Sequence, residues 1–123
     1  MIDEVFSKKY KPSGKGTLRL NDDEIIKYLK EVPSWKVIAE NKELKLYKEF
    51  DFVDFKKIMY FVNKIAAITE KNEHHSMMFV EYKSVKIGWW THVIIGLHEN
   101  DFLMTVKPMK FLMFFLRKDV FNV

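Results

Sequence analysis

The sequence predicts an α+β domain, a four-stranded antiparallel sheet with three helices on one face, in the order α-β-β-α-β-β-α. Three observations predict it. Apolar residues recur at helical spacing in three separate segments, they alternate in two pairs of shorter runs between those segments, and polar turns join the runs of each pair. Helices packed over one face of an antiparallel sheet is the simplest arrangement that buries all of these stripes.

The first helix is predicted in LNDDEIIKYLKEVP. Asn21 and Glu24 have the spacing of a capping box, Ile25, Leu29 and Val32 form the apolar stripe, and Pro33 stops the helix because its ring disfavours helix in the residue before it. In WKVIAENKELKLYKEF, Trp35, Val37 and Ala39 alternate with polar positions, as do Leu44 and Leu46, with Glu40 to Glu43 as the turn of a hairpin. From Val53 to about Glu73 the period becomes helical, with Phe55, Met59, Val62, Ala66 and Thr69 on one stripe, Ile58 and Ile65 beside it, and Phe61 and Ile68 widening the face. After His74 and His75, MMFVEYKSVKIGWWTHVII reads as two strands hinged near Lys83 and Ser84. Val85, Ile87, Trp89 and Thr91 share one face of the second strand, and Lys86, Gly88, Trp90 and His92 the other. Gly96 breaks that strand, and Glu99 and Asp101 suit the first turn of a last helix, where negative charge favours the dipole. That helix continues through an apolar run bent by Pro108. Met109, Leu112, Met113, Phe114, Phe115 and Leu116 would stand partly in water unless a second subunit covered them, so self-association is expected there.

The 123 residues make one domain, residues 20–123, behind a flexible basic leader, residues 1–19. Much of the formal charge of +4 lies in that leader, where Lys8, Lys9, Lys11, Lys15 and Arg19 face only Asp3 and Glu4. The rest of the chain is close to balanced, so a solvated tail is expected rather than a nucleic-acid surface. With 48% hydrophobic and 31% charged residues the composition is that of a soluble globular chain, and no apolar run reaches the roughly 20 residues that span a bilayer. The chain has no cysteine, which excludes disulfides, thiolate metal sites and cysteine nucleophiles. No secretory signal is visible at the start, so the expected location is the cytoplasm, with the nucleus reachable for so small a chain.

The chemistry concentrates in EKNEHHSMM, Glu70 to Met78. Adjacent side chains diverge by about 100° on a helix, so a neighbouring histidine pair seldom grips one ion. The i,i+4 spacing that a zinc helix gives to two histidines here joins Glu70 to His74, which suits a carboxylate holding an imidazole. Such a carboxylate fixes the tautomer and favours the protonated ring, as a general acid requires. His92, arriving from a strand, could complete a pocket of three imidazoles. Three plainer readings stand beside this one: an exposed ion pair, a satisfied histidine at a sheet end, or a three-histidine metal site. By the same default His98 is a surface or cap residue, Asp101 only favours its helix, and Trp35 and Trp90 belong to the core or an interface.

EKNEHH, then Phe79 and Tyr82, then THVIIGLHEND resembles the pterin-4a-carbinolamine dehydratase family, also called the dimerization cofactor family. The pattern is an acidic residue, three residues, a histidine pair, an aromatic, a further histidine and an aspartate, matched here by Glu70, His74, His75, Tyr82, His92 and Asp101. The likeness extends back through FDFVDFKKIMYFVNKIA and Trp35 to LNDDE, covering about residues 20 to 112. It implies the same element order and a reaction in which a 4a-hydroxytetrahydropterin loses water to give quinonoid dihydropterin, supporting tetrahydrobiopterin recycling without metal or organic cofactor. It implies His74 and His92 as acids at the C4a hydroxyl, with His75 shaping the site and binding the pterin. Glu70 would orient His74, Asp101 would support His92 or the pocket wall, and Trp35 would help line the site. It also implies a homodimer or homotetramer and, as the alternative role, a noncatalytic dimerization cofactor that stabilises another protein. Two departures stand out: Ser76 occupies a position where proline is common, and Gly88, Trp89 and Trp90 replace small polar residues on the approach to His92.

Overall fold

The computed structural model describes residues 18–94 and 96–106. Within them the chain forms α1 (Asp22–Leu29), β1 (Lys36–Glu40), β2 (Glu43–Asp51), α2 (Phe55–Lys71), β3 (Ser76–Val80) and β4 (Ser84–Trp89), then a single 3-10 turn (His92–Ile94). The third helix, α3, is described over residues 99–106. The order is the predicted one. The leader up to residue 17, Pro108 and the apolar run from Met109 to Leu116 lie outside the described residues.

The capping box of α1 forms as its spacing predicts: the Asn21 side chain accepts from the Glu24 amide at 2.9 Å, and the Asn21 amide donates to the Glu24 carboxylate at 2.9 Å. The helix ends at Leu29, earlier than Pro33, and the chain descends through a string of turns in which Glu31, Val32 and Trp35 each donate three residues back. In the first hairpin, Asn41 and Lys42 both have positive φ, 53° and 67°, the mirror-image turn whose twist matches that of antiparallel strands. The strands lie in the order β1-β2-β4-β3, every pairing antiparallel, so α2 and β3 carry the chain past the place that β4 then fills.

Strand alternation aims Leu46, Phe50, Val85, Ile87 and Trp89 at the helices, all of them buried. Onto this face pack Ile25, Tyr28 and Val32 from α1 and its tail, Ile58, Phe61 and Ile65 from α2, and Phe102, Leu103 and Val106 from α3. Rings interlock at the junctions, with Phe61 5.1 Å from Phe50 and 5.2 Å from Phe52, and Tyr28 5.4 Å from Phe102. The buried stripe of α2 is Ile58, Phe61, Ile65 and Thr69, while Phe55 is 48% exposed. The expected stripe through Phe55, Met59 and Val62 is thus rotated, because Asp54 caps the helix and leaves Phe55 at its open first turn. In α3, residues 101–106 are all buried. No helix among the described residues is long and apolar enough to cross a membrane.

Candidate active site

Helix α2 delivers the histidine pair through a reversal of the chain. The His74 amide donates to the Thr69 carbonyl at 3.0 Å and the Glu73 amide to the Glu70 carbonyl at 3.2 Å, with Glu73 left-handed at φ 51°. This is a Schellman termination, with glutamate where glycine usually stands. It peels His74 off the helix and starts it toward β3. Extending the β3–β4 register by two residues sets His74 opposite Thr91, on the side of the sheet that carries the helices. There it meets α3.

Asp101, in the first turn of α3, is wholly buried and receives three donors. One carboxylate oxygen accepts from His74 Nε2 at 2.6 Å, and the other accepts from the Thr91 hydroxyl and the His98 amide, each at 2.9 Å. The short contact to an acceptor-only group puts the proton of His74 on Nε2. His74 is 4% exposed, and its ring lies stacked on Trp89 with centroids 5.9 Å apart. His98 caps α3, its Nδ1 accepting from the Asn100 amide at 3.1 Å while Asp101 returns the bond to the His98 amide, a reciprocal cap like that of α1. One buried carboxylate therefore ends a loop, starts a helix and orients an imidazole.

His75, one residue on, takes the opposite direction and is 57% exposed. Its Nε2 donates to Glu70 at 3.0 Å, so Glu70 orients His75 and not His74, and Asp101 serves His74 and not His92. The cause of the first correction is local. The spacing rule that joins Glu70 to His74 holds only on a continuing helix, and the reversal at Glu73 ends it. His92 also stands elsewhere than expected: β4 ends at Trp89, Thr91 bridges to Gly96, and His92 opens the 3-10 turn rather than extending the strand. Its exposed ring directs Nε2 to the His75 carbonyl at 3.4 Å and lies 4.3 Å from the ring of Trp90. The three histidines are thus at one end of the sheet, His74 inside and His75 and His92 facing outward.

Trp35 precedes β1, is 8% exposed and meets Phe50 edge-on at 5.9 Å, so it is a core residue two strands from the histidines. Tyr82 lies in the β3–β4 turn, past the far end of β3, and is 74% exposed. Thr91 was given no role by the sequence pattern, although its position beside His92 and ten residues before Asp101 was legible. Nor does the pattern single out Lys45. Its ammonium sits 4.3 Å over the Trp90 ring and 2.7 Å from Glu40. Among the described residues no three His, Asp or Glu side chains are arranged to hold a metal ion.

Residues 18–109 match the family model described as pterin 4 alpha carbinolamine dehydratase. A protein of Nitrosococcus oceani, provisionally named pterin-4-alpha-carbinolamine dehydratase, is 39% identical over 72% of this chain and 79% of its own length. One of Chlorobium luteolum with the same provisional name is 32% identical over 86% of this chain and 93% of its own. A crystal structure of a Brucella melitensis protein, titled transcriptional coactivator/pterin dehydratase, superposes with a TM-score of 0.67 at 27% identity, covering 76% of this chain and 97% of that one.

Proposed function

The chain belongs to the pterin 4 alpha carbinolamine dehydratase family, and from that premise we propose that it eliminates water from a 4a-hydroxytetrahydropterin by histidine acid/base catalysis. The observation that carries the reading is the convergence of three imidazoles at one sheet end, one locked on a buried carboxylate at 2.6 Å. In the reaction N5 loses its proton, its electron pair forms the N5–C4a double bond, and the C4a hydroxyl leaves as water after taking up a proton. Each transfer asks for a group that changes protonation near neutral pH, and a well-aimed one is worth about 10²- to 10⁴-fold.

His92 is the principal acid at the C4a hydroxyl. With Nε2 turned to the His75 carbonyl, Nδ1 is the nitrogen it would offer to the hydroxyl. His74 is the second acid and can reach substrate only by a ring edge, since it is 4% exposed; Asp101 supplies the counter-charge when that ring is protonated. His75, oriented by Glu70, binds the pterin and receives the N5 proton. Trp35, being a core residue that packs on Phe50, contributes through the fold rather than by touching the pterin. The test is a spectrophotometric dehydration assay. The parent chain accelerates the loss of water, and His74→Ala and His92→Ala each lower the rate at least about tenfold. Rates equal to the parent in both variants contradict the assignment.

A second reading is favoured by the Brucella melitensis neighbour, which is described as a transcriptional coactivator as well as a pterin dehydratase. In that reading the chain stabilises a partner protein through its apolar helices, and a mixed complex recovered with a chain that fails the dehydration assay supports it. A homodimer or homotetramer belongs to the proposal in either case, and light scattering on the eluting protein measures it.

A further inference from the structure

On that reading of the reaction, we propose that Trp90 is the positioning residue of His92, and that Lys45, clamped by Glu40, holds Trp90 in turn. His92 needs such a support. It stands exposed on a turn of three residues, and its bond to the His75 carbonyl, at 3.4 Å, is longer than the roughly 2.7–3.2 Å of a well-made N–H···O bond. An imidazole on so short a segment has several rotamers open to it, whereas an acid must keep its nitrogen within hydrogen-bond reach of one oxygen.

The Trp90 ring supplies the missing restraint. Its centroid is 4.3 Å from that of His92, with the planes inclined at 46°, which is direct contact between the rings. What fixes Trp90 follows from the sheet. Continuing the β2–β4 register by one residue sets Trp90 opposite Lys45, on the face turned away from the helices. Lys45 is 6% exposed, unusual for lysine, and its ammonium lies 4.3 Å over the indole, where the negative ring face attracts a cation. The same ammonium contacts Glu40 at 2.7 Å, at the end of β1. Two strands of the sheet thus anchor a ring that lies on neither helix nor histidine segment. The row Glu40, Lys45, Trp90, His92 joins the first hairpin to the reacting end of the molecule.

The test combines histidine side-chain NMR on the full chain with dehydration kinetics, in the parent and in Trp90→Leu, Trp90→Phe and Lys45→Met. His92 resonances are identified among those of the four histidines by their loss in His92→Ala. The proposal expects Trp90→Leu to shift the His92 ring protons downfield, as indole shielding is lost, and to lower kcat by about tenfold while KM stays within about twofold. Trp90→Phe restores most of kcat, and Lys45→Met moves both readouts in the same sense by less. His92 resonances unchanged in Trp90→Leu overturn it, as does a loss carried by KM, which would make Trp90 a substrate contact. Should Trp90→Leu fail to fold, the phenylalanine and Lys45 variants decide by the same two readouts. A parent chain without dehydration activity counts against the reaction, and the His92 resonances then decide on Trp90 alone.

Discussion

At the scale of single residues, the two carboxylates beside the histidines differ in how much depends on them. Glu70 is exposed and so is its partner His75, and a solvent-facing pair contributes little to stability because water screens it. Asp101 is buried with three donors aimed at it. In Asp101→Asn the amide NH₂ must face either His74 or the Thr91 hydroxyl and His98 amide, leaving buried donors without an acceptor. That substitution is expected to cost about 1–3 kcal/mol, whereas Glu70→Gln should stay within about 0.5 kcal/mol of the parent. Urea denaturation followed by circular dichroism compares them, and equal midpoints would contradict the account of Asp101. The sequence named both carboxylates and all three histidines, but it gave Glu70 to His74 and offered Asp101 to His92 or the pocket wall, whereas Asp101 holds His74. Spacing on a helix could not reveal the left-handed residue at Glu73 that ends the helix first.

Elements were legible where their chemistry is local. The capping box of α1 and the polar turn of the first hairpin form from neighbours in sequence, and both stand as read. The end of β4 was not legible, because its alternation runs on through Trp90 and His92 while the chain is turned away by the Thr91–Gly96 bridge. The Schellman turn after α2 gives a prediction at this scale. Glu73 holds φ 51° without glycine, so Glu73→Gly should stabilise the fold by about 0.5–1 kcal/mol, read as a raised thermal midpoint.

A second prediction concerns β2, where Lys48 occupies the helix-facing row between Leu46 and Phe50. Burial lowers its pKa below the usual lysine value. The unfolded chain then binds more protons than the folded one between the lowered value and about 10.4, so stability rises with pH across that window and the penalty is complete below it. Lys48→Met should therefore be more stable than the parent at pH 7, with an advantage that shrinks as pH approaches 10. Melting curves at pH 7 and pH 9.5 check this; an advantage that grows with pH would contradict it.

For the whole molecule, the sequence pattern was enough to read the sheet, the three helices and their order, because each stripe needs a partner surface and few arrangements supply all of them. The sheet order β1-β2-β4-β3 adds what a linear reading lacks. It puts β4 centrally, so that Trp89, Trp90, Thr91 and His92 leave the sheet beside the start of β3, where the histidine pair enters. Long-range pairing thus brings together histidines that are 18 apart in sequence, His74 and His92. Helix α3 then closes the site from above with Asp101. The fold and the site share one carboxylate, so damage there should reach both.

The central claim, that this end of the sheet is an acid/base site for pterin dehydration, is tested most directly by the rate of dehydration of 4a-hydroxytetrahydropterin with the parent chain and His92→Ala, at equal folded concentration. His92 is exposed, so its removal should leave the fold intact. The account predicts acceleration by the parent and a rate at least about tenfold lower in the variant. A parent rate no faster than the uncatalysed reaction, or a variant as fast as the parent, would contradict it.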